Sequence, residues 1–164
     1  MRLTRREQLA ATPEEAYALL TDPAFQEAKC AATTDGGAYS AEVTDGAVGA
    51  RVTTSRELPA DGLPDVARSF VGATLTVVEV YDWGAPAPDG SREAVVDLHV
   101  KGAPLTLKGR LALLPDGAGS VEVLDAELRA NVPLVGGRIE KAAADPINAA
   151  IDVEVRLLRE RLGG

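Results

Sequence analysis

The sequence predicts an α+β domain: a curved antiparallel sheet of six to seven strands, covered by one long C-terminal helix, with two short helices after the first strand. Three observations carry this. Cap-then-proline signals at Thr12-Pro13 and Asp22-Pro23 open two helices early in the chain. Beyond Gly36, apolar and polar residues alternate with a period of two as far as Val132, the mark of an antiparallel sheet with one wet face. After Ile139 the apolar spacing changes to three and four and holds to Leu162, as in a helix with a single apolar stripe.

Taken in order, LTRREQL at 3–9 predicts the first strand. Thr12 caps the first helix, Pro13 suits its first position and Glu15 completes a capping box. Ala16, Leu19 and Leu20 share its buried face. The second helix starts at Asp22-Pro23 and runs to about Ala32. Tyr39, Ala41 and Val43 then alternate with Ser40, Glu42 and Thr44. Asp45-Gly46 predicts a tight hairpin, because both residues tolerate positive φ, with Val48, Ala50 and Val52 returning on the apolar face. Pro64 opens a short helix holding Val66, Ala67 and Phe70, and Gly72 closes it.

Four more strands follow. ATLTVVEVYDW at 73–83 is rich in β-branched and aromatic residues. In REAVVDLHV at 92–100, Ala94, Val96, Leu98 and Val100 share one face; in PLTLKGRLALL at 104–114, Leu105, Leu107, Leu111 and Leu113 do. VEVLDAELRANV at 121–132 places Val121 and Val123 on one parity and Ala126, Leu128 and Ala130 on the other. That switch predicts a β-bulge near Leu124 and Asp125.

Composition bounds the rest. The 164 residues suffice for one domain with a real core, so 1–164 is read as a single domain. A net charge of −8 repels nucleic-acid phosphates and anionic membrane surfaces. Cys30 is the one cysteine, which excludes an internal disulfide and fits a reducing cytoplasm. The basic start MRLTRREQLA lacks an apolar h-region, and no apolar run is long enough to cross a bilayer. A cytoplasmic monomer or homodimer without integral membrane association is the expectation.

The junction VPLVGGRIE at 132–140 sets a Gly-Gly pair inside an apolar run. It reads as a corner that reaches φ values a side chain would forbid. Beyond it Ile139, Ala143, Ile147, Ile151, Val155, Leu158 and Leu162 form the helical stripe that covers the dry face of the sheet. Pro146 predicts a kink or break near Ala144. This element order resembles the helix-grip fold of the START-like (SRPBCC) superfamily over essentially the whole chain. The junction itself resembles an uncharacterised, mainly actinobacterial family within that superfamily. The resemblance implies a cavity between sheet and helix that accepts lipids, polyketides or other apolar molecules. It brings no established catalytic residues.

The expected cavity lining is Tyr39, Val52 and Arg56 from the first hairpin, Phe70 from the short helix, and Leu75, Val77, Glu79 and Tyr81 from the next strand. Val96, Leu98, Leu107, Leu111 and Leu128 follow from later strands, and Ile139, Ile147 and Ile151 from the helix. Arg56 shares parity with Val52 and Thr54; facing inward it needs an anion, from Glu79, Asp82 or a ligand carboxylate. Otherwise its side chain snorkels to water. Glu79 and Tyr81 would orient a ligand in an apolar pocket, but Val78 and Val80 make the opposite face nearly as apolar.

Other candidates carry less. His99, the one histidine, shares parity with Asp97 and Lys101 and is expected in solvent; one histidine on an outer face is not a zinc site. Cys30 has no histidine nearby to activate it and reads as a small half-buried residue. GGRIE is not a phosphate loop, and no Ser-His-Asp set can be built around a single histidine. No cofactor, metal or catalytic residue is expected. The reading is non-catalytic binding or transport of an apolar small molecule or lipid. The alternatives are a polyketide cyclase or dehydratase-like enzyme using Glu79, Arg56, Tyr39 or Tyr81, and a partner-binding module with a filled core.

Overall fold

The computed structural model describes residues 1–163. Seven strands form one antiparallel sheet: β1 (Arg2–Leu9), β2 (Tyr39–Asp45), β3 (Ala50–Pro59), β4 (Thr74–Trp83), β5 (Arg92–Val100), β6 (Leu105–Asp116) and β7 (Gly119–Ala130). Their order is β1-β7-β6-β5-β4-β3-β2. Every neighbour pair is sequential in the chain except β1–β7, which joins Arg2 to Glu127. The helices are α1 (Pro13–Leu20), α2 (Pro23–Thr33), α3 (Asp65–Val71) and α4 (Gly136–Leu162). This is the helix-grip architecture expected from the sequence.

Both early helices start as their caps dictate. The Thr12 hydroxyl accepts from the Glu15 amide, and the Glu15 carboxylate accepts from the Thr12 amide. Asp22 accepts from the Ala24 amide. Phe25, Ala16 and Leu20 drive these helices into the main core beside Trp83, Leu111 and Leu113. Tyr17 meets Trp83 edge-on at 5.3 Å between ring centroids, and its hydroxyl accepts from the Ala50 amide at the start of β3. Cys30 is fully buried rather than half-buried, because α2 packs against both the sheet and α4.

Three local expectations are corrected. The β2–β3 connection is a loop over 46–49, not a two-residue turn, and Val48 is exposed in it. Gly49 lies so close to the Trp83 carbonyl that a Cβ would stand 2.5 Å from that oxygen, which fixes where the chain turns back. Second, β7 carries no bulge. Its register runs unbroken against β6 from Gly119 to Ala130 and against β1 from Ser120 to Glu127. The even parity therefore points inward throughout, and Ser120 and Glu122 are buried with Leu124, Ala126 and Leu128. Val121 and Val123 lie on the other face; two valines there imitated a change of parity.

Third, the Gly-Gly pair is not the corner. The chain turns at Leu134, which adopts φ 69°, and α4 already begins at Gly136. What Gly136 provides is proximity: a Cβ there would stand 2.4 Å from the Ala130 carbonyl. α4 then runs unbroken through Pro146 for 27 residues. Leu134 is fully exposed and holds a left-handed conformation that costs an L-residue about 1 kcal/mol or more. Leu134→Gly is expected to raise stability by about 0.5–1 kcal/mol, because glycine adopts this φ freely while losing more chain entropy on folding. A urea titration checks it; an unchanged or lower midpoint refutes the strain.

Candidate functional site

α4 is two helices in function. Its C-terminal half lies on the sheet edge and on α1 and α2, with Val155 and Leu158 buried. Arg159 donates to Glu7 and to the Gln8 carbonyl, and Arg5 donates to Asp152. Its N-terminal half stands off the sheet, with Ala142, Ala143, Ala149 and Ala150 presenting little side chain. A cavity of about 460 Å³ opens beneath it, within the range of small-molecule sites.

The cavity wall is mainly aliphatic. β4 contributes Leu75 and Val77, β5 Val96, Leu98 and Val100, and β6 Leu105 and Leu107. α4 contributes Ile139, Pro146, Ile147 and Ile151. Phe70 and Val71 of α3, the loop through Pro59 and Leu63, and Ala103 and Pro104 form one end. Phe70 is 40% exposed, so it stands on the rim.

The other end is polar. Lys29, Arg56, Glu79, Tyr81 and Glu154 all line it. Lys29 Nζ donates to Glu154 Oε2 at 2.7 Å and to Glu79 Oε2 at 3.2 Å. Arg56 Nη2 donates to Glu79 Oε1 at 2.7 Å, and the buried Thr54 hydroxyl donates to Glu79 Oε2 at 3.3 Å. Burial disfavours both charges, yet the paired carboxylates raise the Lys29 ammonium well above its ordinary value. Burial also works against Glu79, but Lys29 and Arg56 hold its carboxyl below the ordinary value. Burial, with Glu79 adding to it, pushes the Tyr81 phenol up, so it stays a neutral hydroxyl.

Glu122 sits next to this cluster, buried on β7 with Oε2 lacking a partner among the described residues. Burial first, and then the Glu154 carboxylate, push its carboxyl up to about 8. At neutral pH Glu122 is therefore largely protonated.

Of the residues expected at the cavity, twelve line it: Arg56, Phe70, Leu75, Val77, Glu79, Tyr81, Val96, Leu98, Leu107, Ile139, Ile147 and Ile151. Four do not. Tyr39 is 46% exposed at the start of the edge strand β2, while Ala41 and Val43 on the same face are half-buried. Val52, Leu111 and Leu128 are buried in the core away from it: Val52 and Leu111 lie beneath α1 and α2, where they border a small separate gap with Leu20 and Trp83, and Leu128 lies on β7 between β1 and β6. Arg56 takes Glu79 as its anion, while Asp82 pairs with Arg51 in solvent. His99 faces outward, 3.5 Å from Asp97.

Lys29, Glu154 and Glu122 escaped the sequence reading. Lys29 is a lone cation on α2, and its partners are 50 and 125 residues away. Glu154 did leave a trace: it falls three residues after Ile151 and four before Leu158, inside the apolar stripe. Among the described residues no group of three or more His, Cys, Asp or Glu side chains is placed to hold a metal ion, and no helix is long and apolar enough to cross a membrane.

Known proteins share this frame. The crystal structure of TTHA0849 from Thermus thermophilus superposes with a TM-score of 0.61 at 16% identity, covering 99% of this chain and 97% of that one. A STAR-related lipid transfer protein from Xanthomonas axonopodis gives 0.60 at 16% identity, with 99% and 86% covered. At these identities the likeness concerns the fold, which is START-like. The uncharacterized protein Rv0481c of Mycobacterium tuberculosis is 25% identical over 107 residues, 64% of this chain. The match spans 61% of that relative's own length. Residues 4–162 match the family described as "Protein of unknown function (DUF2505)", and the chain belongs to that family.

Proposed function

We propose that the protein binds a hydrophobic small molecule or lipid in the cavity under α4 and carries it without chemical change, as a cytoplasmic protein. One observation carries the reading: a space of about 460 Å³ is walled by aliphatic side chains from five strands, β3 to β7, and from α4. Apolar surface facing water is costly at roughly 25 cal/mol per Å², so a ligand body that replaces the water gains affinity. The START-like fold and the lipid-transfer name of one structural neighbour support the same class of ligand.

The polar groups favour binding over catalysis. A general base needs a free lone pair near its proton. Glu79 spends its oxygens on Arg56, Lys29 and Thr54. Lys29 is held charged and is no nucleophile.

Native purification followed by organic extraction and mass spectrometry should return an apolar compound in near-stoichiometric amount. Ala150→Trp places an indole in the cavity from its α4 wall. That variant is expected to keep its circular dichroism spectrum and lose the extractable compound. A variant that still carries the compound at the wild-type level refutes this location.

A further inference from the structure

The polar end of the cavity has an unbalanced inventory. Its charges cancel: the cations Lys29 and Arg56 face the carboxylates Glu79 and Glu154 in a chain of three ion pairs. Its hydrogen bonds do not cancel. Lys29 uses two of its three N–H groups. Arg56 is 4% exposed and gives Glu79 one N–H through Nη2, while its Nη1 has no acceptor among the described residues. Tyr81 lines the same end with its ring 5.3 Å from Lys29 Nζ, and its hydroxyl is another donor with no acceptor among the described residues. On the other side, both oxygens of Glu79 are already engaged, and Glu154 leaves one oxygen, Oε1, for all of these donors. Donors outnumber acceptors, and the site has no charge to spare.

Resting on the cavity reading above, we propose that the ligand enters with a neutral acceptor first: a carbonyl oxygen on an apolar body, received by Arg56, Lys29 and Tyr81. The alternatives fit worse on simple grounds. A carboxylate head adds a third negative charge to a buried set that is already balanced, and burying an uncompensated ion is expensive. An ammonium brings only donors to a place that has donors. A bare hydrocarbon leaves the donors unsatisfied, a penalty comparable to a lost hydrogen bond for each group.

The test compares three probes of one chain length, 2-decanone, decane and decanoate, by NMR titration of the labelled full-length protein at pH 7. The ketone is expected to bind about fivefold or more tightly than either of the others, the discrimination that one or two hydrogen bonds supply. Tyr81→Phe keeps the ring and removes the hydroxyl. Arg56→Lys keeps the charge facing Glu79 and removes the forked guanidinium with its free Nη1. Each is expected to shrink the preference toward twofold, by weakening the ketone and by relieving the cost that decane pays for stranding a donor. Decanoate binding as tightly as the ketone, or decane doing so, overturns the carbonyl assignment and leaves the cavity reading standing. Should none of the three bind at millimolar concentration, the cavity reading falls, and this inference with it.

Discussion

Lys29→Met is expected to destabilise the protein by about 3–5 kcal/mol, the largest loss of any single change considered. Removing one member of a buried ion pair strands its partner without water or a counter-charge. Lys29 is 4% exposed and holds two carboxylates, Glu79 at 3.2 Å and Glu154 at 2.7 Å. Glu79 retains Arg56 after the change, but Glu154 retains nothing. The companion Lys29→Met with Glu154→Leu should therefore recover most of the loss, since replacing both partners by apolar groups of similar size is often close to neutral. Chemical denaturation of the two variants decides it: a single variant within about 1 kcal/mol of wild type, or a double variant worse than the single, contradicts the picture. The pH arms have definite signs. Lys29's raised value contributes stability at all pH values below its ordinary 10.5, lost as alkali passes the folded value. Glu79's lowered value contributes above its ordinary 4.5, lost as acid passes below it.

Glu122→Gln should act in the opposite direction. The carboxyl of Glu122 is pushed up to about 8 by burial and by Glu154, against an ordinary 4.5. Between those values the folded protein keeps a proton that the unfolded chain releases. Stability must therefore fall as pH rises through that window, at up to about 1.4 kcal/mol per pH unit, and level off above it. Glutamine keeps the shape and never ionises. The variant should match wild type near pH 4.5 and exceed it by roughly 2–4 kcal/mol at about pH 8. Urea titrations from about pH 4.5 to 9 on both proteins isolate Glu122 together with the Glu154 carboxylate it interacts with, because titrations remote from the two cancel in the difference. A difference that does not change with pH would mean that Glu122 is already ionised in the folded state.

These two residues also show where sequence reading stops. Periodicity was enough for the strands, because each covers its own inner face with its own alternate residues, as Ala94, Val96, Leu98 and Val100 do. Caps were enough for α1 and α2, since the Thr12–Glu15 reciprocal bond is local. The aliphatic cavity wall followed from the same alternation. The polar end followed only in part: alternation brought in Arg56, Glu79 and Tyr81, and with them the Arg56–Glu79 pair, but Lys29 of α2 and Glu154 of α4 look like solvated positions in their own segments. Glu122 was hidden differently. Counting back by twos from Ala130 leads through Leu124 to Glu122 and Ser120, but Val121 and Val123 supplied a more hydrophobic alternative. Tyr39 failed because it opens β2 at the sheet's outer edge, where inward parity half-buries Ala41 and Val43 but leaves the first position exposed.

The pairing of β1 with β7 has a consequence for biosynthesis. As the nascent chain leaves the ribosome, each strand from β2 to β6 meets a neighbour that is next to it in the chain, so those pairings can form as they emerge. The first strand cannot do this: its ladder needs residues 120–127, and until they are translated its backbone amides and carbonyls stay open to any passing edge. Of the seven strands, the one made first is thus among the latest to be secured, and slowing translation ahead of residue 120 should prolong the interval in which that edge stays unpaired.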